Sequence, residues 1–107
     1  MSLFSHKRKQ DSEQRQLLER LNGRELQTVT RRDPETSVEI LIGKAGRINT
    51  NQDKVVIVCD GREVFRCAAD TARCGELMSL NGVVIRGVQD DGKETTVVAY
   101  YQYYRKV

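Results

Sequence analysis

The run Lys54-Val55-Val56-Ile57-Val58-Cys59, the pair Asp60-Gly61 and the run Arg62-Glu63-Val64-Phe65-Arg66-Cys67 leave this chain little choice of local structure. β-branched and aromatic side chains suit a pleated, half-buried surface. Asp-Gly between two such runs favours a two-residue turn with positive φ at both positions, whose twist matches that of the flanking strands. The segment therefore predicts a tight antiparallel hairpin, and a hairpin this short needs further strands or a helix to bury its apolar face.

Further strand signals lie on both sides. Leu26, Val29 and Thr30 alternate loosely within residues 24–31, and Arg32-Asp33-Pro34-Glu35-Thr36 ends that run as a loop, because Pro34 cannot donate to a ladder and biases Asp33 away from helix. Val38, Ile40 and Ile42 alternate with Glu39 and Leu41, then Gly43 and Gly46 interrupt them, which predicts a bulge or sharp bend before Arg47. Asn51-Gln52-Asp53 makes the next turn. Residues 68–80 lack period-two alternation, and their Ala-rich start suits a helical turn or an irregular crossover. Asn81-Gly82 opens a strand over Val83–Val88, Asp90-Asp91-Gly92 turns, and a last long strand is expected from Lys93 to about Arg105.

Upstream of these strands the period is helical. Asp11 is placed to cap a helix with Gln14 three residues on, Leu17, Leu18 and Leu21 form a narrow apolar stripe, and Gly23 is the natural stop. So short and polar a helix is marginal alone, so its leucines must cover an apolar face, on their own sheet or on a neighbouring subunit. Leu17, Leu18 and Leu21 are thus candidate oligomer-interface residues.

The expected fold is mostly β: a small barrel or strongly bent antiparallel sheet of about five to six strands with an N-terminal helix, because closing or bending a sheet protects its edges. A two-layer α+β arrangement is the alternative. Residues 1–10 read as a basic tail and residues 11–107 as one domain. No apolar run approaches the roughly 20 residues that span a bilayer, and the first ten residues lack the apolar stretch of a signal peptide. The expectation is a cytoplasmic protein without membrane partners.

Chemistry is hard to find. Cys59, Cys67 and Cys74 are odd in number and fit neither a paired disulfide framework nor a Cys-x-x-Cys metal site, and His6 stands apart in the basic segment. Asp33/Glu35 and Asp90/Asp91 sit in turn-like stretches where carboxylates serve the backbone. Gly43-Lys44-Ala45-Gly46-Arg47 lacks the spacing of a phosphate loop. No enzyme, metal or cofactor is expected.

The basic excess is N-terminal: residues 1–32 hold eight Lys/Arg against four Asp/Glu, including Lys7, Arg8 and Lys9. At the other end, Tyr100-Tyr101-Gln102-Tyr103-Tyr104-Arg105-Lys106 places Tyr101 and Tyr103 on one face of a strand and Tyr100 and Tyr104 on the other. Tyrosines beside cations stack single-stranded bases and contact phosphate, but tyrosine is also at home in cores and protein interfaces.

Val83-Val84-Ile85-Arg86-Gly87-Val88 resembles the Ile-Arg-Gly signature of the Sm-like (SH3-like) small β-barrels that bind RNA, and the order of a helix followed by successive strands is also similar. The resemblance implies a ring-forming barrel with Arg86 near an RNA pocket and Gly87 permitting a turn. Two functional expectations follow. The first is a noncatalytic binding or self-assembly module, homo-oligomeric or with a protein partner. The second is a single-stranded nucleic-acid (RNA or DNA) binder using Lys7, Arg8, Lys9, Arg86, Tyr101, Tyr103 and Arg105.

Overall fold

The computed structural model describes the backbone of residues 2–102 and the side chains of residues 12–102. Helix α1 (Ser2–Leu21) leads into strands β1 (Glu25–Arg32), β2 (Glu39–Thr50), β3 (Lys54–Cys59) and β4 (Arg62–Ala68). A 3-10 turn (Ala69–Thr71) follows, then β5 (Arg73–Glu76), β6 (Gly82–Val88) and β7 (Glu94–Tyr101). The seven strands form one sheet in the order β4-β3-β2-β1-β7-β6-β5, every pair antiparallel.

The Asp60-Gly61 hairpin forms as its residues require, with φ of 52° and 74° at the two turn positions and Cys59 opposite Arg62. β2 passes straight through Gly43 and Gly46, yet both features expected of them are present within it. Val29 pairs with Gly43 and Thr30 with Leu41, which leaves Ile42 as an extra, bulged residue, and Ala45 takes a φ of 54°. Further register shifts fall in β1 opposite β7 and in β4 opposite β3. Bulges increase local twist, and these bend the sheet strongly without closing it into a barrel. Its two ends approach ahead of the start of short β5: Cys67 of β4 bridges Gln89, just beyond β6. A Cβ on Gly87 would sit 2.6 Å from the Cys67 sulfur, so glycine there permits close strand approach. Gly87 makes no turn; it pairs with Thr95 inside the β6 ladder.

The core gathers Leu26 and Val29 of β1, Ile48 of β2, Val55 and Ile57 of β3, Phe65 of β4, Val83 and Ile85 of β6, and Val97 of β7. Over it lies α1, whose Leu17, Leu18 and Leu21 are all buried within this chain, so of their two destinations they take their own sheet. The helix begins at Ser2 rather than at Asp11 and takes in residues read from the sequence as a tail; their Lys, Arg and Gln are good helix formers. Asp11 is consequently inside the helix and not its cap. The end comes where expected, at Gly23 with φ 82°, whose N–H donates to the carbonyl of Ile48. Thr50 completes the seam, donating its hydroxyl to the Leu18 carbonyl and taking the Asn22 side-chain oxygen on its own N–H.

β5 is the strand that sequence periodicity missed. It is four residues long with only Cys74 buried, too short for an alternating pattern to stand out. The final strand is described as far as Tyr101; the stretch beyond residue 102, to which it was expected to run, lies outside the described residues.

Candidate functional site: the open edge of β2

β2 is twelve residues long, whereas its neighbour β3 is six. β3 pairs with it only from Gly46 to Thr50, while β1 pairs along the far side from Arg47 to Glu39. The segment from Glu39 to Ala45 therefore has one hydrogen-bonded flank and one that no strand occupies. Asp60 N–H reaches the Ala45 carbonyl at 3.5 Å, so the open stretch is Glu39 to Lys44. Several of its side chains are exposed, Ile40 by 51% and Leu41 by 50%, with Val38 at 56% just before them, while Ile42 is half-buried against the core. Large apolar groups half in water on a bare strand edge are what sheet proteins ordinarily avoid.

The segment is held firmly for so exposed a place. The Glu39 Oε1 accepts hydrogen bonds from the Thr30 hydroxyl at 2.6 Å and the Tyr100 hydroxyl at 2.9 Å, while Arg32 lies 3.6 Å from its Oε2. One carboxylate thus ties β2 to β1 and β7. The Thr30 bond, then those of Tyr100 and Arg32, hold the Glu39 carboxyl below the usual glutamate range against an opposing push from burial. Burial and the bond to Glu39 raise the Tyr100 phenol.

The sequence-derived candidates are scattered rather than gathered. Arg86 is exposed on β6 and pairs with Glu94 at 2.9 Å. Tyr101 is buried in the core, with the Arg24 guanidinium 4.0 Å from its ring centroid. Tyr103 and Arg105 lie outside the described residues, as do the side chains of Lys7, Arg8 and Lys9, whose backbone belongs to α1. Leu17, Leu18 and Leu21 are enclosed under the helix.

The three cysteines are free and buried. Burial pushes their thiols up, that of Cys67 to about 11 and that of Cys74 to about 12, so the nucleophilic thiolate is suppressed at neutral pH. Among the described residues no group of three His, Cys, Asp or Glu side chains is arranged to hold a metal ion. A shallow hollow lined by Glu25, Gly46, Arg47 and Asp60 is open to solvent, and its Glu25 and Arg47 neutralise each other at 3.2 Å. No helix among the described residues is long and apolar enough to cross a membrane.

Comparison with protein-family models, with curated proteins and with solved structures finds no match for this chain. Two residues assigned no site role from the sequence carry the geometry. Glu39 entered only as a polar position between apolar ones, although a carboxylate two strands from a tyrosine gives no sign in sequence of meeting it. Gln14, read as the partner of an Asp11 cap, instead binds β5: its side-chain nitrogen donates to the Cys74 carbonyl at 3.1 Å and its oxygen accepts the Cys74 N–H at 2.8 Å. The spacing 14, 17, 18, 21 puts it on the leucine stripe, which is the signal that was available.

Proposed function

We propose that this chain is a noncatalytic binding module that recognises an extended strand of a protein through the open edge of β2. The observation that carries the reading is the Glu39–Lys44 edge, unpaired along β3's side and flanked by the half-exposed Val38, Ile40 and Leu41. An added strand gains affinity from main-chain hydrogen bonds and specificity from alternate side chains, and the Glu39 clamp lowers the ordering cost by fixing the edge beforehand. The alternative, single-stranded RNA or DNA, draws less support from the fold: Arg86 is already paired with Glu94 and the Tyr101 ring is buried beneath Arg24. The Ile-Arg-Gly resemblance to Sm-like barrels adds little to it for the same reason.

The test sets two labelled probes side by side in fluorescence anisotropy, at low and physiological salt: a peptide copy of residues 36–46 and a short single-stranded RNA. Amide hydrogen exchange is followed on the same samples. Peptide binding that slows exchange across residues 39–44 supports the strand-binding reading. Salt-sensitive RNA binding that Arg86→Ala weakens and Leu41→Lys leaves unchanged replaces it with the nucleic-acid reading.

A further inference from the structure

The strand-binding reading leaves the occupant open. Resting on it, we infer that the occupant of the β2 edge is a second copy of this chain, paired antiparallel about a two-fold axis at Leu41.

Charge argues for that partner and that direction. From Asp33 to Gly43 the chain carries Asp33, Glu35 and Glu39, the last already shared with Arg32, and no Lys or Arg, and then Lys44 opens the other end. A segment acidic at one end and basic at the other is complementary to its own reverse. Antiparallel pairing lays the Glu39 end of each copy along the Lys44 end of the other; parallel pairing sets like charge beside like, which is destabilising.

The apolar residues select the register. Directly opposed residues of an antiparallel pair share a face, so a two-fold axis normal to the sheet must pass beside one residue, which then faces itself. With the axis at Leu41, Ile40 of one copy opposes the half-buried Ile42 of the other, Leu41 opposes Leu41, and Val38 opposes Lys44, which gathers these aliphatics at the centre. Moving the axis to Ile42 would oppose Ile40 to Lys44 and Leu41 to Gly43, separating them.

The rest of the sheet explains why such pairing stops at two. β5, the last strand at one end, has its outward-facing Cys74 amide and carbonyl taken by Gln14, and β4, at the other end, is bridged through Cys67 to Gln89. Once two β2 edges close on each other, the exposed aliphatic stretch of each is used up, and an isologous contact generates a closed dimer.

The experiment is disulfide trapping of the full chain with light scattering. Residues opposed across such a pair have Cβ atoms about 4.5–5.5 Å apart, within reach of a disulfide after small adjustment. With copper phenanthroline as oxidant, Leu41→Cys is expected to cross-link to itself, whereas Val38→Cys and Lys44→Cys cross-link only when mixed; the buried native thiols do not compete. Leu41→Lys is expected to weaken dimerisation by about tenfold or more. A chain that stays monomeric at high concentration while still taking up the 36–46 peptide on this edge overturns the inference and leaves the strand-binding reading standing. A dimer indifferent to Leu41→Lys overturns the inference, and the absence of both peptide uptake and dimer overturns both. A dimer sensitive to Leu41→Lys in which Val38→Cys links to itself overturns the register.

Discussion

At β5 and at β2 the same sheet exposes a strand flank, and the chain treats the two in opposite ways. Along β5 a glutamine from α1 substitutes for a neighbouring strand, giving Cys74 both a donor and an acceptor, and Arg20 reaches Glu76 at 3.7 Å beside it. Along β2 the flank is bare, and although Lys44 stands at its end, its middle carries the exposed Ile40 and Leu41. Edge protection here is local: it depends on whether a side chain from another element happens to arrive. The β5 flank is closed within the chain, and the β2 flank is left open.

The largest effect expected from breaking the contrast comes from detaching the helix. Leu21 is only 2% exposed, so Leu21→Ala is expected to lose about 2–5 kcal/mol in urea unfolding. It should also speed thiol labelling of Cys74, which lies beneath α1. If Cys74 labelling is unchanged while stability falls, the helix does not act as the cover of β5.

Gln14→Ala asks for less. It strips the part-buried Cys74 amide and carbonyl of their partners while leaving the leucines in place, for an expected cost of about 1–3 kcal/mol. Exchange of the Cys74 amide should accelerate selectively. Uniform acceleration across the sheet would instead mean that Gln14 serves packing rather than the edge.

On the β2 side, the same kind of measurement should give almost nothing. Leu41→Lys is expected to change monomer stability by no more than about 0.5 kcal/mol, because Leu41 is half exposed and outside the core. A larger loss at concentrations too low for association would show that this edge is packed, and the contrast with β5 would disappear.

Acid offers the smallest and most specific probe. The folded Glu39 carboxyl titrates below its ordinary value of 4.5, with the Thr30 bond as the leading cause. Its contribution to stability is therefore fully present above the ordinary glutamate range and is lost as pH falls through the depressed folded value. Being largely exposed, it contributes little. Comparing urea midpoints of the native chain and Glu39→Gln between about pH 3 and pH 7 should show a difference that shrinks on acidification. A constant difference across that range would mean that the charge of Glu39 plays no part in the clamp.

Much of the architecture follows from local residue choice. Asp60-Gly61 set the hairpin because few other pairs tolerate positive φ twice, Gly23 stopped the helix for the same reason, and the 17, 18, 21 spacing made the leucine stripe whatever it came to cover. The bulge around Ile42 was foreshadowed by its glycines. β5 and the full length of α1 were not, since four residues carry too little periodicity and the polar residues 2–10 carry no apolar stripe.

The sequence by itself determined which segments bury a face and where the chain turns, because those depend on side chains adjacent along the chain. Only the tertiary structure decided which flanks meet water. Whether Gln14 reaches Cys74, whether Glu39 meets Tyr100, and whether β3 ends at Cys59 opposite Gly46 are matters of residues 60, 61 and 13 positions apart. The open edge of β2 exists because a twelve-residue strand was laid beside a six-residue one, a mismatch that has no energy until the two are paired.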